Sequence, residues 1–187
     1  MRPILALPAL LLPLACGSAK LEKATADKLI KPDYPAPVVV KVPLSATADK
    51  GSAKQERFRK INELLNKDGW FEIKESEKDG KVRYSYAVSP KAPKTVRPGL
   101  DNILAQAATA EFVGSTRMEP MDPRRKDGPV KVTFLVKFTK PTPLWPVYAL
   151  THEGVRLDQP MERHAQFERS GGKWGLLRTD ETALLKD

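Results

Sequence analysis

Thiols and imidazoles are scarce in this chain of 187 residues: there is one cysteine, Cys16, and there are two histidines, His152 and His164. A structural zinc site takes about four nitrogen or sulfur ligands, and a catalytic one about three plus water. His152-Glu153 and His164 provide too few donors, so no metal centre is expected. A serine hydrolase of the Gly-x-Ser-x-Gly type presents its nucleophile on a strained turn, and no such motif occurs. Ser170-Gly171-Gly172 reads instead as a hairpin connection. Gly171-Gly172 also lacks the Lys-Ser/Thr pair of a phosphate-binding loop. Acid–base work by two carboxyls needs one in an apolar setting and one solvated. Glu162 with Glu168, and Asp180 with Glu181, each stand among polar neighbours. The expectation is a protein without catalytic residues or cofactor.

Binding chemistry is better represented. Trp145 and Tyr148 lie in Thr142-Pro143-Leu144-Trp145-Pro146-Val147-Tyr148, an aromatic stretch broken by prolines. If exposed, such a patch marks a contact surface. Arg124, Arg125 and Lys126 form the densest basic cluster, inside a loop bounded by Pro123 and Gly128-Pro129. The formal net charge is +9. A basic excess favours anionic partners and, when scattered, solubility. The other tryptophans, Trp70 and Trp174, fall in expected strands and read as core.

Cys16 ends the run Ile4-Leu5-Ala6-Leu7-Pro8-Ala9-Leu10-Leu11-Leu12-Pro13-Leu14-Ala15. Arg2, then the apolar residues 3–15, then small residues, form the three-part layout of a secretory signal. A membrane span needs roughly 18–20 apolar residues; this run is shorter and holds Pro3, Pro8 and Pro13. Leu14-Ala15-Cys16 resembles the lipobox of bacterial lipoproteins, with Pro13 where that pattern has a bulky aliphatic residue. The resemblance implies a diacylglycerol thioether on Cys16, cleavage before it, and a mature chain anchored in a bilayer. Gly17 in place of an aspartate after the cysteine implies the outer membrane, facing the periplasm. Plain secretion with cleavage after Gly17 or Ala19, and a cytosolic chain, are the competing readings.

The elements that must carry these residues follow from periodicity and punctuation. Residues 16–50 read as the lipidated cysteine and a flexible tether, because Pro32, Pro35, Pro37 and Pro43 deny a central strand its donors; Val38-Val39-Val40 makes at most a short edge strand. Residues 52–68 predict a helix: Ser52 and Gln55 form a capping box, Phe58, Ile61, Leu64 and Leu65 share a face, and Asp68-Gly69 ends it. Strands at 70–74 and 82–88 flank Asp79-Gly80, a hairpin signal. Leu100–Ala105 predicts a helical turn. Thr109–Met118, Lys131–Phe138, Arg163–Arg169 and Lys173–Arg178 predict antiparallel strands, and 180–187 a polar tail.

The sequence therefore predicts an α+β fold: an N-terminal helix and β-hairpin, then a mainly antiparallel sheet. The expected domains are a signal peptide (1–15), the anchor and tether (16–50), a helix–hairpin unit (51–96) and a β-rich unit (97–187). Over residues 55–178 this layout is similar to that of small proteobacterial lipoproteins of uncharacterised function, and it implies no reaction. Helix plus hairpin also suggests a winged-helix module, but the proline-rich segment upstream lacks its other helices, so no nucleic acid is expected. The expected partners are a lipid membrane through acylated Cys16 and an envelope protein or anionic envelope polymer. The functional expectation is a non-enzymatic binding or structural lipoprotein of the cell envelope. An exported hydrolase around His152 and His164, and a soluble periplasmic chaperone or inhibitor working by strand addition, are the alternatives.

Overall fold

The computed structural model describes residues 20–125 and 127–180. Its elements in chain order are α1 (Lys23–Ile30), β1 (Ala36–Pro43), β2 (Ser45–Asp49), α2 (Ala53–Asn66), β3 (Phe71–Lys78), β4 (Lys81–Val88), β5 (Val96–Pro98), β6 (Asn102–Pro120), β7 (Val130–Thr139), α3 (Trp145–Thr151), β8 (Pro160–Ser170) and β9 (Lys173–Thr179). The fold is α+β and mostly antiparallel sheet. One sheet runs β1-β6-β7-β8-β9, with β5 also on β6; the other runs β2-β4-β3.

Strand β6 organises the larger sheet. Its first half pairs with β1 from Asn102 to Ala110, and its second half with β7 from Thr109 to Pro120. Register shifts fall between Phe112 and Gly114 and between Ser115 and Arg117. Gly114 has φ +153°, a conformation that side chains with a Cβ rarely adopt. Bulges bend a strand and increase its twist, so the sheet curls. Along its inner face lie Val38, Val40, Ala108, Ala110, Val132, Phe134, Val136, Phe138, Ala165 and Phe167, all buried. Helix α1 packs on β6 and β9. It buries Ala26 and Ile30, and Asp27 Oδ1 accepts the Ser115 N–H at 3.0 Å. Tyr34, just after α1, stands 6.0 Å from the rings of both Phe112 and Phe134.

The smaller sheet carries α2 as a lid. Ser52 Oγ accepts the Gln55 N–H at 3.2 Å, and Gln55 Oε1 accepts the Gly51 N–H at 2.7 Å. These bonds satisfy donors that a helix start leaves open. Phe58 meets Tyr84 edge to face at 5.9 Å, and the Tyr86 hydroxyl donates to Asn62 Oδ1 at 3.0 Å. Asp79 and Gly80 turn the β3–β4 hairpin with φ of 51° and 70°, the pair of positive values that two-residue hairpin loops favour. Both sheets contribute to one buried apolar cluster.

Several expectations are corrected. Residues 20–50, read as part of a tether, hold α1, β1 and β2, and bury Leu21, Ala26, Ile30, Val38, Val40 and Val42. Strand β1 accepts its prolines because it is an edge strand, where an outward donor can be missing. It pairs with β6, so the segment before residue 51 is built into the region after residue 97. The first helix is thus α1, not the one at 53–66. The helical turn expected at Leu100–Ala105 is strand from Asn102 onward, held between β1 and β5; ladder pairing on both edges overrides local propensity. The stretch around Trp145, expected to be irregular, is helix α3. Pro146 falls in its first turn, where no intrahelical donor is required.

Candidate functional site

A cleft of about 350 Å³ runs along β1, lined by residues of β1, α2 and α3. One wall is the sheet: Ala36, Val38, Val40 and Val42 of β1, then Ala110 and Phe138 behind them. The opposite wall is Phe58, Ile61 and Leu65 of α2, Tyr86 of β4, and Val147 and Tyr148 of α3. The cleft exists because the sheet side is built from small residues. Alanine at 36 and 110 and valine at 38 and 40 leave unfilled the space that leucine or phenylalanine would occupy between sheet and helices.

The register fixes how the cleft runs. Ala36 lies opposite Ala110, and Ala110 opposite Phe138, so one end of β1 sits beside Phe138. The other end leads into Leu44, whose carbonyl accepts the Tyr86 N–H at 3.0 Å. The seven steps from Ala36 to Pro43 span about 23 Å at roughly 3.3 Å each. The Phe138 end carries an aromatic stack: Phe138 to Tyr148 at 6.0 Å, Tyr148 to His152 at 4.0 Å and nearly parallel, Phe138 to Trp145 at 5.7 Å. His152 Nδ1 is 3.0 Å from the Tyr148 carbonyl oxygen and 3.0 Å from Thr151 Oγ1, which closes the end of α3.

Among the described residues no Asp or Glu lines the cleft; its charged lining residues are Lys41 and Arg163. Arg163 is unusual in its setting. On β8 it shares the inward parity of Met161, Ala165 and Phe167, and it lies opposite Phe134. Its guanidinium carbon sits 5.5 Å from the centre of the Phe138 ring, and an η nitrogen donates to the Glu162 carbonyl at 3.0 Å. At the far end, burial pushes the Tyr86 phenol above its ordinary value, against the bond to Asn62, and neighbouring Tyr84 pushes the same way as burial.

The residues singled out by sequence are dispersed. Tyr148 is buried and lines the cleft, while Trp145, the first residue of α3, is half-buried against Phe138 and Tyr148 and is not a lining residue. Arg124 and Arg125 are exposed in the β6–β7 loop, away from the cleft lining. Cys16 and Lys126 lie outside the described residues. His152 is at the cleft rim, whereas His164 is on β8, with its N–H donated to Asp180 Oδ2 at 2.8 Å. Among the described residues no group of three His, Cys, Asp or Glu is arranged to hold a metal ion. Sequence reasoning missed Val38, Val40 and Arg163. The signal available for Arg163 was a cation at an inward position of an alternating strand.

No family model matches the chain, and no curated protein or solved structure is significantly similar to it. Among the described residues no helix is long and apolar enough to cross a membrane.

Proposed function

We propose that this chain is a non-enzymatic binding lipoprotein of the bacterial cell envelope. Acyl chains on Cys16 anchor it in the outer membrane facing the periplasm, and the cleft along β1 receives an apolar guest. The observation that supports the binding role is the cleft itself: a small-residue sheet wall facing an apolar helix wall, within the size range of small-molecule sites. Under this reading α2, Tyr86 of β4 and α3 supply one wall and the antiparallel sheet the other. Anchoring rests on the sequence Leu14-Ala15-Cys16 and on the scale of acyl insertion, about 0.8 kcal/mol per buried methylene. Strand addition is the weaker alternative, because Pro37 and Pro43 remove donors from β1 and so blunt its outer edge.

Two measurements test the reading. A neutral apolar fluorophore such as N-phenyl-1-naphthylamine binds the wild-type protein saturably at one site. Ile61→Trp, which fills the cleft from α2, abolishes that signal without lowering the unfolding temperature. Wild type partitions into the detergent phase and Cys16→Ser into the aqueous phase. No saturable fluorophore signal would remove the binding role, and equal partition of the two proteins would remove the anchor.

A further inference from the structure

We propose that the turn between β5 and β6 is a docking tip for an anionic bilayer, with Leu100 inserted and Lys41 and Arg97 at the headgroup phosphates. This goes beyond the apolar-guest reading and does not rest on it. Three observations lead to it. The turn is tight: the Gly99 N–H donates to the Asn102 carbonyl at 2.6 Å and leaves Leu100 and Asp101 at the apex. A Cβ at 99 would meet Asn102 Oδ1 at 2.8 Å and the Asn102 carbonyl oxygen at 3.0 Å, so glycine permits this close approach. The apex is also apolar. Leu100 is 100% exposed and Leu44 42% exposed, and the two are held together because the Leu44 N–H donates to the Asp101 carbonyl at 3.4 Å. Pro43 and Pro98, both exposed, stand opposite Asn102 and Ile103 and extend the patch. Single exposed leucines are ordinary, whereas neighbouring exposed apolar groups mark a contact surface.

The third observation is charge set back from the apex. Lys41 on β1 and Arg97 on β5 both pair with Leu104, so they flank it on one face of the sheet. Both are exposed, and among the described residues neither is in an ion pair. Leu104 lies two residues behind Asn102, about 7 Å along the strand. Asp101, the acid of the turn, accepts the Asn102 side-chain amide at 2.8 Å. A projecting apex encloses no small ligand and offers little area to a folded partner, but a bilayer requires neither. Apolar groups of interfacial proteins sink about 5–10 Å into the headgroup–acyl boundary. A leucine at that depth leaves cations about 7 Å behind it among the phosphates, where an anionic leaflet attracts Lys and Arg. Lys41 and Pro43 also line the cleft, so docking sets that end of the cleft against lipid.

The test uses the full chain carrying Cys16→Ser, so that no acyl group contributes. A nitrobenzoxadiazole fluorophore is attached through Leu100→Cys, or through Met121→Cys at the opposite end of β6 beside the Arg124–Arg125 loop. Any pull on vesicles from the apolar residues 3–15 is common to both labelled proteins. Vesicles of phosphatidylcholine and phosphatidylglycerol in about equal parts are expected to raise emission at position 100 at least twofold and to leave position 121 unchanged. Phosphatidylcholine alone is expected to do neither. Lys41→Gln with Arg97→Gln, in the chain labelled at 100, is expected to raise the lipid concentration needed by at least tenfold, since each cation near an anionic surface contributes about fivefold. The unfolding temperature stays as before, because both side chains are exposed. An unchanged signal at 100, a rise at 121 equal to that at 100, or equal response to the two vesicle types would overturn the proposal and leave the cleft reading intact. So would an unaltered lipid dependence in the doubly substituted chain.

Discussion

Replacing Ile30 by alanine tests whether the segment before residue 51 belongs to the folded body. Ile30 is fully buried on α1, one turn after Ala26, which is also fully buried. Removing a buried isoleucine to alanine costs about 2–5 kcal/mol, through lost transfer energy and the cavity left behind. For a chain of this size each kcal/mol lowers the unfolding midpoint by about 2–4 °C. A loss near 3 kcal/mol therefore lowers it by about 6–12 °C. Asp27→Ala acts on the same helix by another route: it strips the Ser115 N–H of its carboxylate acceptor. An unmet buried donor costs about 1–3 kcal/mol. Lys28, exposed on α1, is the control, and Lys28→Ala stays within about 0.5 kcal/mol. Thermal and urea unfolding followed by near-ultraviolet circular dichroism reads all three, because Tyr34, Phe112 and Phe134 cluster beside α1. If Ile30→Ala and Lys28→Ala unfold together, the segment is a tether after all and the argument from burial fails.

Other outcomes follow from the cap and from the buried phenol. Ser52→Ala removes the acceptor for the Gln55 N–H and lowers stability by about 1 kcal/mol, measured by urea unfolding; Ser52→Asp, which keeps an acceptor, loses less. The folded-state value of Tyr86 lies above the ordinary tyrosine value of about 10. Above that pH the folded protein holds a proton that the unfolded chain has released. The Tyr86 contribution is therefore complete below about pH 10 and is lost as pH rises through the folded value. Tyr86→Phe starts about 1 kcal/mol less stable through loss of the Asn62 bond, but falls less steeply in alkali. Parallel alkaline limbs for the two proteins in pH-dependent urea unfolding would contradict the assignment.

What the sequence determined by itself is local. Ser52 and Gln55 specify a helix start because their side chains reach backbone donors within one turn. Asp79-Gly80 specifies a hairpin because the pair tolerates positive φ. Alternation in 131–138 and 163–169 specifies strands because each needs one buried face. The tertiary structure decided everything that depends on partners distant in the chain. Prolines at 37 and 43 argue against a central strand, yet only the pairing with β6 shows that β1 is an edge where they are tolerated. Leu100–Ala105 has helical propensity, and only β1 and β5 on either side make it strand. The cleft is likewise invisible locally. It is the volume left when alanines from strands 74 residues apart in sequence, Ala36 and Ala110, are brought opposite one another beneath α2 and α3. A void has no sequence signature, because it is a property of what surrounds it.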